Sequence, residues 1–202
     1  LSYGRVLSVG TNGLSFHPTA AAPRSPFSGS LFLRPHMGRF EHFLPNRYSG
    51  VGDLPATLEG GFRTGFSLLG LVNFSISAAG DILGRGHGGV HGEGALALQL
   101  PLHEIGFFAA FEVAVMAGDS SYMDSLYGVD AGQARSSAFE AYKAKGGVEA
   151  TRGAVTMRKR MGEHWSIIGK IGMMRLAGSP ENSPLVEEKQ QYSLQLLTAY
   201  RF

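Results

Sequence analysis

From Lys189 to Phe202 the chain alternates apolar and polar residues up to its last position. Tyr192, Leu194, Leu196, Thr198, Tyr200 and Phe202 share one parity, and Gln191, Ser193, Gln195, Leu197, Ala199 and Arg201 share the other. A β-strand sends successive side chains to opposite faces, so this is a strand with one apolar and one mostly polar face. The apolar face must be covered by protein or by lipid, which confines the fold to a sandwich or a barrel. Soluble chains seldom finish on a long strand capped by an aromatic residue, whereas outer-membrane barrels commonly do.

The same alternation recurs upstream. Thr57–Ser67 sets Leu58, Phe62 and Phe66 against Glu59, Arg63 and Ser67, and Leu71–Ala79 sets Val72, Phe74, Ile76 and Ala78 against Asn73, Ser75 and Ser77. Gly92–Leu102, Ile105–Ala117 and His164–Leu176 follow suit, while Gly147–Arg160 alternates most weakly, with Val155 and Met157 on its apolar side. Charged residues make up 17%, against about 25% in soluble domains. The 29 glycines and 13 phenylalanines suit turns and strands better than helices. No apolar run reaches the ~18 residues of a membrane helix. A net charge of +2 leaves no nucleic-acid footprint, and the absence of cysteine excludes disulfides and thiolate metal sites. The chain starts at Leu1 without a signal peptide, so the reading expects a mature or trimmed form.

Periodicity alone leaves the sandwich open, because it uses the same alternation with polarity reversed in space. The second face decides more. It carries Gly, Ala, Ser, Asn, Gln, Glu, Arg and Lys, as a lumen would. Connection lengths also alternate. Leu68–Gly70, His103–Glu104 and Met161–Glu163 are short, whereas Asn46–Ala56, Gly80–His91, Gly118–Gly146 and Ala177–Glu188 are long. With the C-terminus on the periplasmic side, every one of these long loops falls outside. The expectation is one domain over 1–202, a closed antiparallel up-and-down transmembrane β-barrel of about ten strands. Its 118–146 loop is extracellular, and residues 1–27 are the least defined part. There, Arg5–Phe16 and Ser28–Phe40 read as strands, the second either bent or a hairpin because of Pro35 and Gly38.

Two stretches carry a more specific pattern. The first runs Tyr122, Met123, Asp124, Ser125, Leu126, Tyr127, Gly128, Val129, then Gln133, Ala134, Ser137 and Tyr142. The second joins Arg175, Leu176, Ala177 and Gly178 to Ser183, Pro184, Leu185, Val186 and Glu187. Both resemble motifs of the MipA/OmpV family of Gram-negative outer-membrane proteins, and Tyr200-Arg201-Phe202 resembles its usual ending. Weaker likenesses lie at Gly38-Arg39, Gly50-Val51-Gly52-Asp53, Leu58-Glu59 and His87-Gly88-Gly89. The family's acidic run after the Arg-Leu motif is here Gly178-Ser179-Pro180-Glu181-Asn182, with one carboxylate in place of two. The resemblance implies a scaffold in the cell envelope, with a murein lytic transglycosylase and a peptidoglycan synthase as partners alongside outer-membrane lipid. It implies no enzyme and no cofactor. A narrow pore or transport channel, or an adhesin, is the alternative. Phe202 is, by the same resemblance, a signal for barrel assembly.

Other candidates come from the residues themselves. Arg63, Glu93, Glu112 and Lys170 fall on the inward parity, either as a lumen salt-bridge network or as an ion-selective constriction. Trp165, Tyr192 and Tyr200 lie near strand ends on the outward parity and fit an aromatic girdle. His87 and His91, four apart in a Gly-rich stretch, would align as metal ligands only on a helix, and no third ligand is near in sequence. No metal or catalytic residue is therefore expected. His103 and His164 sit in or beside short turns with Glu104 and Glu163 and read as solvated turn residues. Ala131–Lys145 reads as a short amphipathic helix that folds over the mouth, plugs the lumen or presents a partner surface.

Overall fold

A computed structural model describes residues 2–3, 7–10, 13–17 and 25–200. They form one antiparallel sheet in which every strand pairs with its neighbour in sequence, from β1 to β11. Three short strands lead: β1 (Ser2–Tyr3), β2 (Leu7–Gly10) and β3 (Gly13–Phe16). Eight long ones follow: β4 (Phe27–His36), β5 (Thr57–Leu68), β6 (Val72–Asp81), β7 (Val90–Leu102), β8 (Phe107–Gly118), β9 (Gly147–Met161), β10 (Trp165–Leu176) and β11 (Gln190–Tyr200). This is the all-β up-and-down meander expected of a barrel. Residues 1, 4–6, 201 and 202 lie outside the described set, and Phe202 with them.

Register carries the alternation from strand to strand. Arg34 pairs with Glu59, Arg63 with Ser77, Ser77 with Glu93, Ala97 with Glu112, and Lys170 with Gln195. The small and polar parity of each strand thus meets the small and polar parity of the next. The opposite parity is apolar and exposed: Ile76 is 60% accessible, Val113 59% and Ile171 54%. A bulge between Met116 and Ala117 absorbs the one offset between β8 and β9.

The amino-terminal expectations need correcting. Arg5–Phe16 is not one strand but a tight hairpin, β2–β3, turned at Gly13 with φ +95°. Ser28–Phe40 extends only to His36, and Pro35 is accommodated within β4 opposite Leu58. The sheet holds eleven hydrogen-bonded segments, in line with the expected count of about ten. The short connections 69–71, 103–106 and 162–164 share one end of the sheet, where β3 also ends and β4 begins.

If the apolar outer parity faces hydrocarbon, Val113→Arg will destabilise the barrel by about 2–4 kcal/mol in lipid vesicles, measured by urea unfolding. A surface bathed by water would tolerate that substitution with no measurable change.

Candidate functional site

The largest fully buried side chains cluster at one end of the sheet. Val51, Met123, Pro180, His87 and Glu59 gather at the long-loop end, where the 37–56, 82–89, 119–146 and 177–189 connections cover the sheet. The covering begins with α1 (Ser120–Tyr127), whose first turn is capped by the Asp119 carboxylate accepting from the Tyr122 N–H at 2.8 Å. Tyr122 and Met123 turn inward onto Ala144, with Leu126, Tyr127 and Tyr142 around them. A second short helix, α2 (Ala131–Ser136), opens with a capping box between Asp130 and Gln133. The helix expected over Ala131–Lys145 therefore stops at Ser136, and a helix forms upstream where none was expected. Tyr142 instead pairs with Val129 as an isolated bridge.

Most of the sequence-predicted motif residues act as staples between these loops. The Gln133 amide donates to the Val51 carbonyl at 2.6 Å, joining α2 to the 37–56 loop. The Ser183 hydroxyl, buried, donates to the Tyr127 carbonyl at 2.6 Å. The Tyr142 hydroxyl donates to the Ser179 carbonyl at 2.7 Å, and the Val186 N–H to Ser183. Glu187 pairs with Arg47 at 2.7 Å and accepts from the Tyr48 hydroxyl at 2.9 Å. Gly50 has φ +88° and lies so close to the Ser136 carbonyl that a Cβ would stand 1.9 Å from it. Gly178 has φ +61°, and a Cβ there would meet the Val148 carbonyl at 2.7 Å. Ser137 ends α2, Gly128 ends α1, and Pro184 is half-buried between Ser183 and Leu185. Arg175 is an exposed β10 residue paired with Thr151 and Gln190.

Charge in the covering loops is held by geometry. Tyr127 donates to Glu149 at 2.8 Å, and burial followed by that carboxylate drives the phenol upward. Burial likewise raises the Tyr122 and Tyr48 phenols and lowers Arg39. Glu41 is half-buried, and the N–H groups of Gly50 and Gly52 hold its carboxyl below the ordinary glutamate value.

Beneath the covering lies a polar layer that sequence spacing missed. Glu59, with no accessible surface, takes Arg34 Nε on Oε2 at 2.6 Å. Its Oε1 faces His87 Nε2 at 3.0 Å and His91 Nε2 at 3.1 Å. His87 is placed by a Gly-rich loop wound on Asp81, whose carboxylate accepts from the N–H groups of Leu83, Gly84, Gly86 and Gly88 and from the Thr57 hydroxyl. Tyr122 stacks on His91 at 4.5 Å and meets His87 edge-on at 5.0 Å, tying the layer to α1. No third potential ligand is near the two histidines in sequence, but the fold brings one from β5, whose Glu59 lies within 4.8 Å of both. The hydrogen bonding nevertheless opposes a cation. His87 Nδ1 accepts the Gly89 N–H, which leaves the ring proton on Nε2 facing Glu59. His91 Nε2 lies within hydrogen-bond distance of both Glu59 Oε1 and Arg34 Nη2, and the guanidinium charge at 3.2 Å stands against a cation there. Nor does the layer offer a nucleophile: the nearby Ser125 hydroxyl donates to the His87 backbone carbonyl rather than to its ring.

Further down the lumen, Arg152 bridges Glu93 at 3.0 Å and Glu112 at 3.1 Å. That arginine lay on the weakly alternating β9, which is why periodicity overlooked it. Arg63 and Lys170 share the inward parity but make no ion pair among the described residues. Trp165 and Tyr200 form an edge-on pair at 4.9 Å by the short-turn end of β10 and β11, and Tyr192 is exposed at the far end of β11.

With loop motifs, sheet and inward charges in place, the comparison with known families is decisive: the model described as MltA-interacting protein MipA matches residues 6–202. The chain belongs to the MipA family. No curated protein matches it. The match reaches into the amino-terminal hairpin, well beyond the 38–202 span over which motif residues alone carried the resemblance. Most of the residues that carry the family likeness thus build the covering of the long-loop end, and the histidine layer below it combines the weaker Leu58-Glu59 and His87-Gly88-Gly89 stretches.

Replacing Ser183 by Ala leaves a buried carbonyl without its donor and will cost about 1–3 kcal/mol. Hydrogen exchange across residues 120–142 should speed up accordingly. For Glu41 the folded carboxyl titrates below the unfolded one, so its stabilisation is present above the ordinary glutamate range and is lost as pH falls through the lower folded value. Limited proteolysis of the 37–56 loop is expected to accelerate under those acid conditions, and Glu41→Gln should already be susceptible at neutral pH.

Proposed function

We propose that this chain is an outer-membrane barrel of Gram-negative bacteria that acts as an interaction scaffold in the cell envelope. The family match over residues 6–202 carries this reading, since its printed description names a protein by the partner it binds and not by a reaction. The apolar outer parity and small, polar inner parity fit a strand set inserted in lipid. The family description supports a partner of the MltA kind, read here as a murein transglycosylase; a peptidoglycan synthase as the second enzyme is an expectation from the motif resemblance alone.

The short turns lie at the end assigned to the periplasm, where murein enzymes work, so the proposed docking surface is that rim. The stapled loops then form the outer cover. Trp165 and Tyr200 sit as girdle residues at the periplasmic boundary and Tyr192 toward the outer one. Phe202 serves as the barrel-assembly signal.

A narrow conducting pore is the second reading, favoured by the water-accessible charges of the lumen. The Arg152–Glu93–Glu112 bridge and the buried layer around Glu59 speak for a filled interior instead.

Cross-linking of intact envelopes is expected to trap a lytic transglycosylase on the folded barrel, and substitutions in the 162–164 turn should reduce that yield while those in the 119–146 loop do not. Planar-bilayer recordings should show no reproducible steps. Steps that change on altering Glu112 or Lys170 would replace the scaffold by the pore. Deleting Phe202 should lower membrane insertion by more than it lowers the stability of barrels already inserted.

A further inference from the structure

Below the Glu59 layer the lumen holds a cavity of about 280 Å³, walled by β4 to β9. Arg34, Arg63 and Arg152 line it, with Glu93 as the acidic lining residue and Ser77 contributing a hydroxyl. The donors on this wall are in surplus. Arg34 spends Nε on Glu59 and Nη2 on His91. Arg152 reaches both of its carboxylates through Nη2 alone, and its Nε is buried without any partner. Arg63 makes no hydrogen bond or ion pair among the described residues. Three guanidinium groups thus line the cavity beside one lining carboxylate, Glu93, with Glu59 and Glu112 also paired to them.

A buried N–H without an acceptor is costly, and in a native protein it marks the place of a missing partner. Guanidinium groups present paired, planar N–H donors that match an oxyanion in bidentate fashion. We infer that this cavity binds a small oxyanion, a phosphate or a short carboxylate, with Arg63 and Arg152 as its principal ligands. Arg63 has no carboxylate partner among the described residues, so its N–H donors are available to the anion. Arg152 is held in place by Glu93 and Glu112 and offers the anion its remaining N–H groups. The volume suits one such ion with its nearest waters and is too small for a folded or polymeric ligand. The inference stands independently of the scaffold reading, because it concerns the lumen and not the periplasmic rim.

The test is equilibrium dialysis of the folded, full-length chain in detergent against radiolabelled inorganic phosphate, with chloride holding the ionic strength constant. One saturable phosphate per barrel is expected. Arg63→Gln strands no carboxylate, so the variant should keep its heat-modifiable gel mobility while its phosphate affinity drops tenfold or more. Arg152→Lys keeps a charge beside Glu93 and Glu112 but loses the planar fork, and a comparable loss of affinity is expected. Displacement of phosphate by acetate would place both anion types in this one site. Uptake that never saturates, or that is equal in Arg63→Gln and the unaltered chain, would overturn the inference.

Discussion

Strand register is the constraint on which the remainder of this molecule rests. Each long strand carries large apolar side chains on one parity and small or polar ones on the other, and each pairing keeps those parities aligned. A slip of one residue anywhere would send Phe74, Ile76 or Val113 into the lumen and Glu93 or Glu112 out of it. The bulge at Met116/Ala117 shows the same rule from the other side, since an added residue is set aside rather than allowed to shift the strands beyond it.

Because the inner parity of the sheet is small and polar, its larger hydrophobic burial is displaced to one end. Met123, Val51 and Val129 reach near-zero accessibility not between strands but among connecting loops. Those loops are long enough to be loose, and they are held by hydrogen bonds from side chain to backbone: Gln133 to Val51, Ser183 to Tyr127, Tyr142 to Ser179. A side chain that satisfies a buried carbonyl does in a loop what the ladder does in a sheet. The family motif is in this sense largely a folding instruction for the covering. The polar layer of Arg34, Glu59, His87 and His91 then joins that covering to the barrel wall through Tyr122.

Sequence patterns reached the sheet readily and the covering poorly. The strands around Leu96, Phe111 and Leu194 were legible within one to three residues, since a period of two with a buried-or-lipid face leaves few options. The amino-terminal hairpin was not, because Gly10 and Gly13 interrupt an otherwise strand-like run and only pairing reveals the turn. The helix was sought over 131–145, where alanines repeat at helical spacing. It forms instead at 120–127, where Asp119 caps the first turn and Tyr122 and Met123 find a buried surface. Short helices are decided by caps and tertiary contact more than by propensity.

By itself, the sequence determined that this chain is an all-β meander with a polar interior, and its loop motifs pointed to the family. Those properties are local or periodic, so neighbouring residues suffice to express them. Only the tertiary structure decided that Glu59 stands between two histidines of a distant loop, that Arg152 gathers Glu93 and Glu112, and that Arg63 has no ion pair among the described residues. Such groupings depend on the stagger of strands across the sheet and on how a Gly-rich loop winds on Asp81. Neither is written in any contiguous stretch of residues.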